Sequence, residues 1–384
     1  MARIKWLIAA AFGVGILLLG YMGLIRKSSC DILPKDSAPL RIEEIGSDSS
    51  KGASLIGIQP FLRPNDYACE AHFRARLASY LEAARQKGFL TRRTVVVFPE
   101  YIGTWLILLG EPALGFQAKT LKGALTWFVL RHPWKFWKAY QKAIEDTLSD
   151  PASGAAFQVK AVEMAQAYHR TFSSLAREYG VTVVAGSIVL PGAYIQRDSL
   201  YVTPGAPLSN ISVVYHPDGR PDPGIVRKAF PIATELGFTL PGKVHELPTF
   251  QTPLGRVGVL ICADSWFPES YRAIGKVDIV VVPSYLMGDS CWSLPWRGYS
   301  GWPSPPDVQT KALSEGEAWL TYAMGGRLPL HDSTATGLNV FLKGDFWELG
   351  ADGRAVVVRN GRTYAIDTDI ICIWMPPLEG KRSL

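Results

Sequence analysis

Three residues at the ends of apolar, β-branched runs hold the chemistry this chain could perform: Glu100, Lys228 and Cys262. The clearest run is Gly255-Arg256-Val257-Gly258-Val259-Leu260-Ile261-Cys262-Ala263-Asp264, where the composition of a core strand stops on a thiol and turns polar. Positions just past such strand ends are where α/β folds expose reactive groups. Alone, each residue has a bland reading. A single cysteine is ordinarily inert core, a single acid beyond a strand a solvated loop residue, and a single lysine surface decoration. Together they make a nucleophile, a base and a cation. A neighbouring ammonium favours thiolate and is expected to lower the pKa of Cys262, while Glu100 takes the proton and later returns it to a departing amine. Negative charge developing on an attacked carbonyl oxygen falls to Lys228 and the backbone N–H of Ala263. The product of that step is a thioester. Water completing the cycle makes an amidase, and an amine completing it makes an acyltransferase.

The elements that must position these groups follow from periodicity. A strand over 54–58 precedes a helix over about 68–87, closed by Gly88, and a strand over 94–98 delivers Pro99 and Glu100. A long helix over about 156–179 ends at Gly180 and feeds a continuous strand over 181–190. Strands over 211–215 and 224–227 lead to Lys228, and a short helix through Tyr271 follows the Cys262 strand. Beyond it come a strand over 277–283, an aromatic loop over 287–306 and a helix over 307–322. Strands over 337–342, 346–349, 355–359 and 363–366 complete the pattern. Asn210-Ile211-Ser212 matches a glycosylation acceptor, a pattern frequent by chance.

At 384 residues and 48% hydrophobic content the chain can bury a large core, which excludes disorder. Its net charge of +6 is spread out, so nucleic acid is not implied. Cys30, Cys69, Cys262, Cys291 and Cys372 contain no CxxC pair and the six histidines no metal-ligand spacing, so no metal or cofactor is expected. An odd cysteine count leaves a free thiol unless a bridge joins two chains.

Residues 6–25 carry no charge and are flanked by Arg3 and Lys5 and by Arg26 and Lys27. That length matches the roughly 30 Å hydrocarbon core of a bilayer. The run reads as a single-pass membrane anchor within residues 1–30 or as a long signal peptide, the anchor being favoured for want of a cleavage site. The bulk of the chain then leans extracytoplasmic. Residues 31–52 read as a tether, 53–376 as the enzyme domain and 377–384 as a tail. Within 101–150, aromatic and basic residues interleave over 121–142, as in a helix lying in a membrane interface and broken near Pro133, or in an amphipathic helix packed on its own domain.

The ordered set Phe98-Pro99-Glu100, Arg227-Lys228-Ala229-Phe230, Gly258-Val259-Leu260-Ile261-Cys262-Ala263-Asp264 and Asp278-Ile279-Val280-Val281-Val282-Pro283-Ser284 resembles the nitrilase, or carbon-nitrogen hydrolase, superfamily over residues 53–370. The resemblance implies an α/β four-layer α-β-β-α sandwich with Glu100 as base, Lys228 as oxyanion cation and Cys262 as nucleophile. It also implies a second glutamate, matched by Glu235, and dimers through a helical face. Three places depart from the pattern, one of them Gly325-Gly326, where polar residues are common. Ala263 stands where a bulky aromatic usually follows the cysteine, and Lys311-Ala312-Leu313-Ser314-Glu315 replaces an arginine-alanine-x-glutamate-asparagine motif. The expected activity is cleavage of a non-peptide amide of a small or lipid-like molecule. The rivals are N-acyl transfer to an amine of a lipid-like acceptor and a catalytically silent membrane-bound binding module.

Overall fold

Near-continuous β-branched runs such as Thr94-Val95-Val96-Val97 and Ile279-Val280-Val281-Val282 are what a strand buried on both faces requires, and every one of these residues is fully buried. The structure, a computed structural model, describes residue 30 and residues 39–46, 52–309 and 312–375. The apolar run 6–25 and the 377–384 tail lie outside the described residues. Among those described, no helix is long and apolar enough to cross a membrane.

Two sheets form a mixed α/β core. The first runs in the spatial order Ile42–Ile45, Ile370–Trp374, Ala53–Ile58, Arg93–Val97, Thr182–Val184, Leu208–Tyr215, Pro221–Arg227, with Ile188–Pro191 also pairing to Leu208–Tyr215. The second runs Thr249–Thr252, Gly255–Val259, Ile279–Ser284, Thr336–Phe341, Ala355–Arg359, Arg362–Ile366. Because side chains alternate along a strand, Leu55, Val95, Val97, Val184 and Val214 face the second sheet, while Ile56, Ile58, Val96, Val183 and Val213 face helices. Those helices are Glu70–Gln86 and Pro151–Tyr179, which contribute Phe73, Leu77, Tyr168 and Phe172. Helices Pro268–Ile274 and Met324–His331 cover the outer face of the second sheet with Tyr271, Ile274, Met324 and Leu328. The layers are therefore helix, sheet, sheet, helix. Where the sheets meet, a Cβ on Gly57 would stand 2.7 Å from Val340 and 2.8 Å from Ile371, so only glycine permits that approach.

Several expectations need correction. The 181–190 strand is two, Thr182–Val184 and Ile188–Pro191, separated at Gly186, whose φ of +66° and closeness to the Pro99 carbonyl oxygen (2.1 Å from an added Cβ) admit no side chain. The helix expected over 307–322 is only Glu315–Thr321, started by a Ser314–Glu317 capping box, and a further helix, Met324–His331, follows it. Residues 346–349 are not a strand; Phe346 instead stacks on Trp105 at 4.5 Å. Part of the expected tether, Ile42–Ile45, is an edge strand pairing in parallel with Ile370–Trp374, a strand the periodicity also missed. Four residues with two glutamates carry too little apolar signal to announce an edge strand. Cys30 and Cys69 form a disulfide, leaving Cys262, Cys291 and Cys372 as free thiols. In the 121–142 region, helices Leu121–Arg131 and Pro133–Glu145 break at the expected proline.

Candidate active site

Three strand ends converge on one edge of the sandwich. After Arg93–Val97, the N–H of Phe98 still donates to the Val184 carbonyl at 3.0 Å, and the chain then turns. The break at Gly186 holds that turn. Ser187 Oγ accepts the Tyr101 N–H at 2.9 Å, the Ser187 carbonyl accepts the Gly103 N–H at 2.9 Å, and Glu100 is left pointing inward, 2% exposed. Lys228 follows Pro221–Arg227 with its backbone fixed on both sides, its N–H donating to Asn210 and its carbonyl accepting from Gly242. Cys262 follows Gly255–Val259 and opens a 3₁₀ turn, Cys262–Trp266. Its φ of +49° is left-handed, a conformation costing a non-glycine residue on the order of 1–2 kcal/mol, so the surrounding structure must enforce it.

The side chains meet in a sealed cluster. Lys228 Nζ donates to Glu100 Oε1 at 2.8 Å and to Glu235 Oε2 at 2.5 Å. Asn210 Nδ2 bridges the same two acids, at 2.9 Å to Glu100 and 3.1 Å to Glu235. The Tyr101 hydroxyl and the Ile232 N–H complete the shell of Glu235 at 2.5 and 2.8 Å, and the Tyr285 N–H donates to Glu100 Oε2 at 3.1 Å. The sulfur of Cys262 sits 4.0 Å from the Tyr285 carbonyl and within the fields of Glu100 and Lys228. All four sequence-derived side chains line one cavity of about 310 Å³, together with Ala263. As the second residue of the turn opened by Cys262, Ala263 has an N–H with no acceptor inside that turn.

Burial and charge separate the two acids. For Glu100, burial outweighs the Lys228 charge, and the nearby Glu235 adds to the rise, so its carboxyl is held above the ordinary range. For Glu235, burial is overcome by Lys228, Tyr101 and the Ile232 N–H, so it stays ionised below the ordinary range. Lys228 loses charge stability to burial but regains more from both glutamates, and remains a cation. Two carboxylates pushed apart in this way divide into a proton carrier and a fixed anion. The thiol corrects an expectation: burial and then the negative Glu100 push Cys262 well above a free cysteine, and the pull of Lys228 does not offset them. Cys262 therefore rests as a thiol beside a base, not as a preformed thiolate.

Sequence reasoning missed Tyr101, Asn210, Tyr285 and Asp264. Asn210 is 1% exposed and bonded to both acids, which removes the glycosylation reading. The signal available was its place in a strand that pairs with the one delivering Lys228. In the aromatic loop, Trp296 and Tyr299 line the cavity, whereas Trp292 is buried against Phe341 and Trp302 donates to the Pro231 carbonyl.

Comparison with known proteins bears on the family and the fold. The family model for carbon-nitrogen hydrolases matches residues 52–299, and the chain belongs to that family, within the nitrilase superfamily. Similar solved structures include a double mutant of the amidase from Nesterenkonia sp. AN1 in complex with acrylamide, at 15% identity and a TM-score of 0.50 over 87% of this chain and 93% of that one. Another is a mutant of the same amidase with the acetamide moiety of fluoroacetamide added at its active site cysteine, at 15% identity and a TM-score of 0.50 over 88% of this chain and 94% of that one. At that identity the likeness is one of fold. No curated protein matches the sequence.

Proposed function

We propose that the protein hydrolyses a small non-peptide amide through a thioester on Cys262. Glu100 takes the thiol proton as sulfur attacks the carbonyl carbon, so no free thiolate is needed. The oxyanion that forms is held by the Lys228 ammonium and the Ala263 N–H. Collapse breaks the carbon-nitrogen bond, and Glu100 returns the proton to the departing amine. Water then attacks the thioester, gives its proton to Glu100 and releases the acid, and the sulfur regains its proton. Glu235 serves as a positioning residue that keeps Lys228 charged and aimed. The observation that carries this reading is the Lys228 ammonium shared between two acids of opposite pKa shift beside one buried thiol. Ammonia release from simple carboxamides, with capture of the acyl group as a hydroxamate when hydroxylamine is present, tests it. Turnover that survives Cys262→Ala contradicts it.

A second reading, acyl transfer to a lipid-like amine at a membrane, draws on two features. Helix Pro133–Glu145 exposes Trp134 (79%) and Trp137 (56%) and also bears Lys135, Lys138 and Lys142, the mix that seats a helix in a headgroup layer. The Cys30–Cys69 bridge favours an oxidising, extracytoplasmic setting. Binding of the protein to anionic vesicles, and its loss in a Trp134→Ser/Trp137→Ser variant, tests the surface. Preference for an amine over water as acyl acceptor tests the transfer.

A further inference from the structure

The cavity that holds the thiol also carries chemistry that amide cleavage does not use. Trp266, Trp296, Trp319 and Tyr299 line it and interlock. Trp266 lies nearly parallel to Trp296 at 5.7 Å, Trp319 meets Trp266 edge-on at 4.9 Å, and Tyr299 meets Trp266 at 5.6 Å. Glu315 lines the same cavity. Its carboxylate accepts a hydrogen bond from Trp319 Nε1 at 3.1 Å, and among the described residues no cationic side chain pairs with it. Burial raises its pKa, and the Trp319 hydrogen bond does not offset that rise. Lys228, the cation of this cavity, is already committed to Glu100 and Glu235.

An acid with no counter-charge among the described residues, set in an aromatic wall, matches one ligand chemistry. Indole faces attract an organic cation through their quadrupoles and repel an anion, and the carboxylate adds charge complementarity. We propose that Glu315 and the wall of Trp266, Trp296 and Trp319 bind an ammonium group of the substrate, so that the amide cleaved at Cys262 carries a positive charge away from its scissile carbonyl. This deepens the hydrolase reading and rests on it for the word substrate. A cavity of about 310 Å³ limits that molecule to a small one.

The test uses the full chain and ligands that contain no amide, so binding is measured independently of turnover. Choline, its neutral isostere 3,3-dimethylbutan-1-ol and n-butylammonium are titrated while tryptophan emission is followed. At least one ammonium ligand binds at least ~10-fold tighter than the alcohol, the size expected of a desolvated cation–π contact assisted by an acid. Choline binding tighter than butylammonium assigns a quaternary group, and the reverse order assigns a primary one. Glu315→Gln reduces the preference over the alcohol to less than about 3-fold and leaves the alcohol's affinity unchanged. Should that variant not fold, Trp296→Leu serves, with an expected loss of about 5-fold for the ammonium ligand alone. An alcohol that binds as tightly as both cations, or a preference that survives these substitutions, overturns the proposal. Ammonium binding without ammonia release from any amide leaves the cation site standing and removes the hydrolase reading.

Discussion

Asp264 and Ala229 are joined by a bond from side chain to backbone: Asp264 Oδ1 accepts the Ala229 N–H at 2.9 Å, and also that of Phe230 at 2.8 Å. Through its other oxygen, Asp264 accepts the Ile261 N–H at 3.1 Å. The residue two places after the thiol thus ties the turn of Cys262 to the residue that follows Lys228. This acid thereby ties the positions of Cys262 and Lys228 to each other through the backbone.

Replacing Asp264 with alanine orphans those buried N–H groups, each worth about 1–3 kcal/mol when left unpaired. Thermal unfolding should show a large loss of stability, and turnover should fall with it. The acid also gives a signed pH dependence. Burial raises its pKa from 3.8 to about 7, so between those values the unfolded chain ionises while the folded one keeps its proton. This group therefore lowers stability as pH rises from about 4 to 7, by up to roughly 4 kcal/mol, and adds no further change above that window. Unfolding at pH 5 and at pH 7.5 should show that decline in the parent and not in Asp264→Asn.

Removing one charge from the pair of acids should shift the other. Glu235 raises the pKa of Glu100, so Glu235→Gln moves the acidic limb of the kcat/KM profile to lower pH. The same change loosens Lys228 and lowers kcat by about 10²–10³, the usual cost of a mispositioned oxyanion donor. A profile that stays in place, or a loss confined to KM, is the opposing result.

Thiol alkylation should run against thiolate-enzyme behaviour. Burial and Glu100 push Cys262 up, so its reaction with iodoacetamide should accelerate only at alkaline pH. Glu100→Gln removes the neighbouring negative charge and should shift that profile to lower pH, while amide turnover drops by about 10²–10⁴ through loss of the base. Faster alkylation with slower catalysis separates the two roles of one carboxylate.

Gly186 offers a test remote from the cluster. An added Cβ would stand 2.1 Å from the Pro99 carbonyl oxygen at a φ of +66°, so Gly186→Ala must push the Glu100 turn away. A stability loss of a few kcal/mol is expected from the clash and the strained backbone. Lost turnover should accompany it, both read on the same sample by thermal unfolding and ammonia release.

Glu100, Lys228 and Cys262 were legible because each stands just past a strand end that sequence periodicity marks, and Glu235 only through the resemblance to the carbon-nitrogen hydrolases. The strands Arg93–Val97, Gly255–Val259 and Ile279–Ser284 were legible for the same reason: buried β-branched runs have no solvent-facing residues to blur them. What lay hidden depends on neighbours distant in the chain. Asn210 and Tyr285 reach Glu100 across sequence separations of 110 and 185 residues, and no local pattern encodes such contacts. The sign of the thiol's shift was hidden too, because the sequence shows a lysine nearby but not the burial that outweighs it.

The central claim is a covalent acyl-enzyme on Cys262, and intact mass spectrometry of the parent enzyme, acid-quenched during turnover of a simple carboxamide, tests it most directly. The expected result is an acyl adduct that maps to the peptide bearing Cys262 and is absent from Cys262→Ala. Amide turnover with no adduct at Cys262, or an adduct equally present on Cys291 and Cys372, would contradict it.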